Sequence, residues 1–180
     1  MPEYRRSYLP GGTFFFTVVT YKRHQILTNQ ISRTLLHDAF QNVKNRYPFR
    51  VDAICLLPDH LHCIWTLPEG DSNYAMRLKE IKRIFSRQYG KQFGSSEKRN
   101  QSREKRQEST LWQRRYWEHT IRDEKDYLVH LEYIHYNPVK HGLVNRVADW
   151  EWSSFHRYVA RGFYDASWGG EYNHTGEFGE

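Results

Sequence analysis

The chain has 180 residues, a formal net charge of +6 at pH 7 and 38% hydrophobic residues, which fits one domain with a buried core and no membrane span. Its first residues lack the apolar run of a secretory signal, and its two cysteines, Cys55 and Cys63, fit a reducing cytoplasm better than a disulfide scaffold. The basic charge and the 16% aromatic content favour a polyanionic partner such as nucleic acid, because such surfaces hold phosphates and stack bases.

The predicted elements follow the order strand, helix, strand, strand, helix, strand. Their predicted bounds are, in chain order, a strand at residues 13–21, a helix at about 31–47, strands at 50–57 and 60–67, a helix at about 73–93 and a strand at 111–121. β-branched and aromatic runs indicate the strands, and apolar residues with a helical period indicate the helices. This order predicts an α+β, ferredoxin-like fold, in which helices pack on one face of an antiparallel sheet.

Three further segments complete the chain. A third helix is predicted at about residues 124–140. Residues 94–109 have no apolar side chain and are dense in charge, so we predict a mobile loop. Beyond Trp150 the chain is rich in aromatic residues and glycine without a clear period. We therefore predict one domain over residues 1–149 and a tail over residues 150–180, which packs on or near the domain and could cover a site or contact a ligand.

Two histidines on the third predicted strand form the first candidate site. In the stretch Pro58-Asp59-His60-Leu61-His62, residues i and i+2 of a strand point the same way, so both imidazoles can reach one cation. Cys63 is out of phase with both rings, which argues against a mixed Cys/His zinc site on this strand. Because the chain has ten histidines, such a pair also arises by chance, and a metal site needs further ligands from elsewhere.

The third predicted helix can supply such a ligand. At about 100° per residue, Tyr133 and Asn137 lie on one face of this helix, with His130 and Lys140 beside them. The amide oxygen of Asn137 is a hard ligand, which suits Mg²⁺ or Mn²⁺ better than a closed zinc site. The alternative interpretation is that Asn137-Pro138 only ends the helix and that Tyr133 is a partly buried core ring.

Tyr127, Tyr133 and Tyr136 are the candidate nucleophiles of this helix. Only Tyr133 has a metal-binding amide one turn further on, because the residue four positions later is Asn137. Tyr133 is therefore the predicted nucleophile.

A basic stripe runs along the second predicted helix. Lys79, Lys82, Arg83 and Arg87 fall within one arc, opposite an apolar side. Such a stripe can follow a phosphate backbone, but a solvated helix face has the same pattern.

The combination of these motifs resembles the single-tyrosine HUH transposases, in which a His-hydrophobic-His strand faces a tyrosine on a helix. The resemblance is closer to the REP-associated tyrosine transposases, and it spreads over most of residues 3–162. The matching stretches are EYRR at 3–6, GGT at 11–13, LPDHLHCIWTLP at 57–68, WQRRYWEH at 112–119, YIHYNPVKHG at 133–142 and WSSFH at 152–156. The charged segment at 94–109 departs from the family, since it is longer than the family's usual connection.

The resemblance implies a ferredoxin-like nuclease domain that cleaves and rejoins single-stranded DNA. His60, His62 and Asn137 would hold Mg²⁺ or Mn²⁺, which polarises the scissile phosphate. Tyr133 would attack phosphorus and give a 5′-phosphotyrosine and a free 3′-OH, and Lys140 would help to neutralise charge together with His130.

The resemblance also implies a partner. The expected ligands are hairpins of REP elements, which are short palindromes with a tetranucleotide on the 5′ side. Arg5 and Arg6 are predicted to read the tetranucleotide, the basic stripe to hold the hairpin's backbone, and His130 and Lys140 to add DNA contacts. The chain is expected to act as a monomer in a prokaryotic cytoplasm, with no membrane partner, and to associate with the nucleoid when it is bound to DNA.

Two other functions stay open at this point. A non-catalytic module that binds single-stranded RNA or DNA could share the fold, the charge and the aromatic content. A hydrolytic metalloenzyme that acts on a small substrate could use the same histidines to bind zinc, with Tyr133 only orienting the ligand. A covalent protein–DNA adduct distinguishes the three functions.

Overall fold

A four-stranded antiparallel sheet lies at the centre of the computed structural model, which describes residues 8–94, 104–105, 109–169 and 178. The strands are β1 Thr13–Val19, β2 Arg50–Leu56, β3 His60–Thr66 and β4 Trp117–Thr120. The α-helices are α1 Gln30–Arg46, α2 Tyr74–Phe93, α3 Glu124–Lys140 and α4 Phe155–Ala160. The strands lie side by side in the order β2, β3, β1, β4, and each neighbouring pair is antiparallel. The predicted ferredoxin-like α+β fold is therefore confirmed.

The pairing of β1 with β3 sends alternate side chains to opposite faces of the sheet. Phe16 lies opposite Cys63, and both belong to the core that α1 and α2 form with one face of the sheet. Trp65 is the largest fully buried side chain of this core. Burial raises the pKa of the thiols of Cys55 and Cys63, so both cysteines are apolar packing groups rather than reactive thiolates.

The third helix covers the opposite face of the sheet. Phe15 and Ile64 from the strands pack with Leu131 and Ile134 of α3 in a second buried core. The first two helices thus share one face, as predicted, and α3 lies over the face that carries the two histidines of β3. This arrangement brings a helix from the C-terminal half of the chain to a strand from the N-terminal half.

The segment after α3 covers the outer edge of β2. Trp150 Nε1 donates a hydrogen bond to the carbonyl of Leu56 at 3.0 Å, and the amide of Leu56 donates to the carbonyl of Trp152 at 2.8 Å. Behind α3, His135 Nε2 lies 2.8 Å from Ser154 Oγ. This part of the predicted tail therefore packs on the sheet and on α3. The division into a domain at 1–149 and a tail at 150–180 stays a prediction, and residues 170–177 and 179–180 lie outside the described residues.

The fourth strand is shorter than predicted, because the chain leaves the sheet ladder between Trp112 and Trp117. Thr20 forms an isolated bridge with Trp112, whereas Thr17 pairs with Trp117. The chain advances five residues from Trp112 to Trp117, whereas β1 advances only three residues from Thr17 to Thr20. The two extra residues form a bulge. Arg114 is exposed on this bulge. The first strand also ends early, at Val19 rather than at residue 21, because the chain turns there into a short 3₁₀ helix.

None of the helices in the described ranges combines the length and the apolar composition that crossing a bilayer requires. The loop predicted at residues 94–109 lies outside the described residues, apart from 94, 104–105 and 109.

Candidate active site

His60 and His62 lie on β3 and point to the face that α3 covers. Both side chains are buried, and their ring centres are 4.8 Å apart. Two imidazoles that bind one cation through nitrogen at about 2.1 Å, with a ligand–metal–ligand angle of about 90–110°, hold their ring centres about 4.6–5.3 Å apart. The two histidines therefore already have the spacing that a shared cation requires.

A neighbouring side chain engages Nδ1 of each histidine. His60 Nδ1 lies 2.6 Å from Asp59 Oδ1, and because a carboxylate only accepts, this nitrogen carries the proton. His62 Nδ1 lies 2.8 Å from Thr17 Oγ1, whose own proton is donated to the carbonyl of Phe178 at 2.5 Å. Since a hydroxyl has one proton, His62 Nδ1 must be the donor to Thr17. In the neutral form of each ring, Nε2 is therefore the nitrogen that can bind a cation.

Asp59 is ionised in this arrangement. Burial alone would raise the pKa of the Asp59 carboxyl, but hydrogen bonds and charges from His60 and Arg23 outweigh burial, so the pKa lies below its ordinary value. Arg23 Nη1 donates to Asp59 Oδ2 at 3.2 Å. A carboxylate–histidine pair of this kind fixes the orientation of the ring and makes its second nitrogen a better ligand.

Tyr133 lies beside the histidines on α3. Its ring centre is 5.2 Å from that of His62, and its side chain is 1% exposed. Asn137 is fully buried one turn further along the same helix. Lys140 Nζ donates a hydrogen bond to the Tyr133 hydroxyl at 3.2 Å. One helix thus carries a phenol, an amide and an ammonium group along one side.

The sequence of α3 explains why these groups share one continuous helix. Asp123 caps the N-terminus, where its side chain accepts a hydrogen bond from the amide of Asp126. Pro138 lies in the last turn, where a proline costs less than in the middle of a helix, and the helix continues to Lys140. Asn137-Pro138 therefore does not end the helix, contrary to the alternative interpretation of this pair.

The other two candidate tyrosines have different surroundings. The hydroxyl of Tyr127 lies 2.9 Å from that of Tyr158, and burial together with this contact raises the pKa of Tyr127, which makes it a poor nucleophile. Tyr136 is half-buried against the second core. Tyr133 is the one of the three whose ring contacts a candidate metal ligand among the described residues.

Phe178, near the C-terminus, covers the ring of Tyr133. The two ring centres are 3.7 Å apart and the rings are nearly parallel, at 11°. The Phe178 ring also packs 6.1 Å from Phe15 and 5.3 Å from His130. The sequence left open whether the tail covers a site or contacts a ligand. In the structure, Phe178 lies over the candidate site.

A second cluster, formed by His119, Asp126 and His130, has potential ligand atoms within 4.8 Å of one another. The rings of His119 and His130 are stacked at 4.5 Å with an interplanar angle of 13°. A cation lies in the plane of each imidazole that binds it, and no point lies close to both of two stacked, nearly parallel planes. Asp126 Oδ2 already accepts from His119 Nε2 at 2.8 Å and from the amide of Arg122 at 3.0 Å. This cluster is therefore better explained as a hydrogen-bond network that joins β4 to α3.

The predicted DNA-binding residues have mixed surroundings. Three members of the basic stripe on α2 are exposed, and the fourth, Lys82, is half-buried and donates to the carbonyl of Gln113 at 2.7 Å. Arg83 Nη2 pairs with Glu80 Oε2 at 2.7 Å. His130 is buried under Phe178. Arg5 and Arg6 lie outside the described residues.

Three residues of the site did not emerge from the sequence. Asp59 could have been found from its place directly before His60. Thr17 and Phe178 give no local signal, because their roles depend on which strands pair and on where the tail lies.

Comparison with known proteins agrees with this geometry. Residues 12–137 match the family of IS200-like transposases. The REP-associated tyrosine transposase of Escherichia coli K12 is 46% identical over 172 residues, which cover 95% of this chain and 93% of that protein. A Haemophilus influenzae protein provisionally assigned to the same group is 47% identical over 171 residues, or 94% of each chain. A solved structure of a REP-associated tyrosine transposase bound to a REP hairpin is 44% identical, with a TM-score of 0.83 over 100% of this chain and 98% of that chain. The chain therefore belongs to the IS200-like transposase family and, within it, to the REP-associated tyrosine transposases.

Proposed function

We propose that this transposase cleaves and rejoins single-stranded DNA through a covalent 5′-phosphotyrosine at Tyr133, with a divalent cation held by His60, His62 and Asn137. The observation that carries the proposal is a pair of buried imidazoles whose Nδ1 atoms are both engaged, together with the ring contact between His62 and Tyr133. A module that only binds DNA does not require fixed imidazole tautomers beside a buried phenol. The binding-module alternative therefore leaves this arrangement without a purpose, and the covalent adduct distinguishes the proposal from the hydrolytic alternative.

The donor set fits Mn²⁺ or Mg²⁺. Two imidazole nitrogens from His60 and His62 and one neutral amide oxygen from Asn137 leave coordination positions for phosphate oxygens. When bound, the cation supplies Lewis acidity to a non-bridging oxygen of the scissile phosphate. Asp59 and Thr17 hold the two imidazoles through Nδ1, which leaves metal binding to Nε2 of each ring.

Tyr133 performs the covalent step. The bond between its Oη and phosphorus forms, the bond between phosphorus and the 3′ oxygen breaks, the phenolic proton passes to solvent, and the departing oxygen takes a proton from solvent. One phosphodiester is exchanged for another, so a 3′-OH can reverse the step without ATP. Because Phe178 is stacked on the Tyr133 ring, this contact must open before DNA reaches the phenol.

The proposed substrate is a REP hairpin with a tetranucleotide on its 5′ side. A relative with 44% identity over the whole chain has been solved with a REP hairpin. We propose that Arg5 and Arg6 read the tetranucleotide and that the basic stripe of α2, with Lys140 beside the site, holds the backbone. A DNA contact by His130 stays a prediction and requires that Phe178 moves away.

A monomer is the proposed active form, bound to DNA in the nucleoid. All the proposed catalytic groups come from one chain, since His62 contacts Tyr133 of the same chain. Light scattering of the purified protein, alone and with hairpin DNA, measures the mass directly, and a stable dimer of both forms would contradict the monomer.

The first experiment tests the covalent adduct. The protein is incubated with Mn²⁺ and single-stranded REP hairpin DNA that is labelled at its 3′ end, and the products are separated on a denaturing protein gel. A 5′-phosphotyrosine retains the labelled fragment, so label should migrate with the protein. Tyr133→Phe should remove this band, whereas the matched control Tyr127→Phe, on the same helix, should keep it. Tight hairpin binding with neither adduct nor cleaved DNA would instead support a binding module.

A second experiment tests the cation independently of cleavage. Calorimetric titration with Mn²⁺ should show a site in the wild-type protein and none in the double variant His60→Ala/His62→Ala. The control is His119→Ala, which alters the second histidine cluster. Unchanged Mn²⁺ binding in the double variant would contradict the metal assignment.

A further inference from the structure

Trp117 of β4 points to the face of the sheet that carries the candidate active site. In the antiparallel pairings, Trp117 lies opposite Thr17 of β1, and Thr17 lies opposite His62 of β3. Residues directly opposite each other on antiparallel strands have their side chains on the same face. The three side chains therefore form one row on the face of α3. The preceding residue, Tyr116, points to the other face and packs on Phe16, with ring centres 6.2 Å apart.

This row places Trp117 close to the proposed site of cleavage. Neighbouring strands are about 4.8 Å apart, and Trp117 lies two strands from His62, so their backbones are about 10 Å apart. Successive nucleotides of a stacked strand are about 3.4 Å apart, and those of an extended strand are further apart. A DNA strand whose phosphate lies at His62 can therefore bring a base within about three nucleotides of that phosphate to Trp117.

The path of α3 leaves Trp117 at the surface. The first turn of this helix meets the other end of β4, where His119 Nε2 lies 2.8 Å from Asp126 Oδ2, and the helix then crosses the sheet to Tyr133. Among the described residues, Trp117 is 36% exposed and belongs to neither buried core. A single exposed apolar side chain is common in proteins, so its position and the charges around it decide what it can bind.

The charges beside Trp117 are positive. Arg114 and Arg115 are exposed on the bulge directly before it. The next residue, Glu118, turns its carboxylate to the other face, where it is buried and accepts a hydrogen bond from the Tyr74 hydroxyl. An exposed aromatic ring beside guanidinium groups suits a nucleic-acid strand, because the ring stacks on a base while the cations hold phosphates.

We propose that Trp117 is a stacking platform that holds one base of the single-stranded DNA beside the phosphate that Tyr133 attacks. The face of the indole ring accepts the face of any base, so this contact positions the strand without reading its sequence. Arg114 and Arg115 hold phosphates of the same segment. The inference rests on the proposed single-stranded DNA substrate, and it adds the contact that directs the strand across the sheet to the site.

A structural role for Trp117 is the competing explanation. Tryptophan suits a strand, and its ring could simply stabilise β4. Replacing it would then lower the urea midpoint of unfolding and would weaken the binding of every DNA ligand by the same factor. A stacking role instead makes the loss of affinity depend on the presence of one base. The two roles are therefore distinguished by comparing intact DNA with DNA that lacks single bases.

The test measures equilibrium binding by fluorescence anisotropy, without metal and in the Tyr133→Phe protein, so that no DNA is cleaved. The probe is the REP hairpin with single-stranded flanks, in which an abasic nucleotide replaces each flanking position in turn. Trp117→Ala should weaken the binding of intact DNA about 5- to 150-fold, which is the usual cost of losing one stacked base. One abasic position should cost the parent protein a similar factor and should cost the Trp117→Ala protein nothing further.

Two substitutions and a control separate stacking from bulk. Trp117→Phe keeps an aromatic face and should keep most of the affinity, whereas Trp117→Ile keeps an apolar strand former and should lose it. Trp117→Ile also replaces Trp117→Ala if the alanine variant does not fold. The matched control is Phe163→Ala, because Phe163 is 50% exposed but packs on Tyr158, whose hydroxyl donates to the carbonyl of Asp52 at the opposite edge of the sheet. This variant should bind intact DNA like the parent protein.

The salt dependence of binding provides the second readout. Stacking releases no counterions, so Trp117→Ala should leave the slope of log affinity against log salt unchanged, whereas Arg115→Gln should reduce it by about one. Unchanged affinity in Trp117→Ala, or an equal loss for intact DNA and for every abasic DNA, would overturn the proposal.

The binding test is independent of the covalent step. If the adduct forms at Tyr133 but no base-dependent loss is seen, only the role of Trp117 fails. If the base-dependent loss is seen but no adduct forms, the covalent step of the proposed function fails and the contact with Trp117 stands.

Discussion

Thr17→Val is the most direct test of how the site holds His62. Valine has nearly the same shape and suits a strand, so the backbone of β1 should not change. The substitution removes a hydroxyl that is fully buried and that bridges His62 Nδ1 and the carbonyl of Phe178. The contact that fixes the proton of His62 on Nδ1 is then lost, so the tautomer that leaves Nε2 for a cation is no longer favoured.

Two magnitudes follow from this geometry. Loss of an outer partner of a metal ligand typically costs about 10- to 100-fold in metal affinity, which corresponds to about 1.4–2.8 kcal/mol. The His62 Nδ1 proton also loses its acceptor inside the protein, and an unsatisfied buried group costs about 1–3 kcal/mol of unfolding free energy. Thr17→Val should therefore weaken both metal binding and the fold.

Calorimetry with Mn²⁺ measures the first effect, and urea unfolding measures the second. Thr13→Val is the matched control, because Thr13 lies on the same strand and the same face, about 13 Å away, and its hydroxyl contacts Thr66 Oγ1 rather than a histidine. Thr13→Val should bind Mn²⁺ like the wild type. If Thr17→Val binds Mn²⁺ as tightly as Thr13→Val does, the assignment of the His62 tautomer is wrong.

Three further predictions concern the covering segment and the buried charges. Phe178→Ala removes an aromatic contact worth about 0.5–1.5 kcal/mol, so adduct formation should become about two- to tenfold faster; an equal or slower rate in the gel assay would contradict a covering role. Burial, with smaller effects from Arg157 and His156, lowers the pKa of His135 to about 3, below the value of about 6.5 in the unfolded chain. The unfolded chain therefore binds more protons between these values, stability should fall as the pH drops from about 6.5 to 3, and thermal melts of His135→Gln should show a smaller dependence on pH. Burial alone would raise the pKa of Asp126, but hydrogen bonds from His119 and Arg122 lower it to about 2. Asp126→Asn should thus lose about 2 kcal/mol of stability at pH 7, and urea midpoints should show this difference shrinking as the pH falls from about 4 through about 2, because the wild-type carboxyl takes up a proton over this range.

The sequence predicted the elements that carry their own local signals. The bounds of α3 agree with the prediction at both ends, because Asp123 is a strong N-cap and the apolar period continues to the last turn. The two histidines share one face because the period of a strand is two, which needs no knowledge of the rest of the fold. The roles of these residues and of Tyr133 in metal binding and catalysis stay predictions.

The parts that escaped prediction depend on distant pairings. Thr17 is 45 residues from His62 and 161 residues from Phe178, so its place in the site is visible only once the strands and the tail are assembled. The shortened β4 has a similar cause. The aromatic and basic run from Trp112 to Trp117 has the propensity of a continuous strand, and local composition does not show where the backbone leaves the ladder.

The pairing of β1 with β3 makes strand register a determinant of chemistry as well as of folding. Phe16 lies opposite Cys63 on the face of α1 and α2, and Thr17 lies opposite His62 on the face of α3. A slip of one residue in the pairing moves every side chain of a strand to the opposite face of the sheet. Both imidazoles would then point into the apolar core under α1 and α2, and that core's own side chains would point towards α3. The same register of β1 and β3 is therefore required both for a packed core and for an intact candidate active site. A chain in the wrong register loses both together, so folded molecules keep their histidines beside Tyr133.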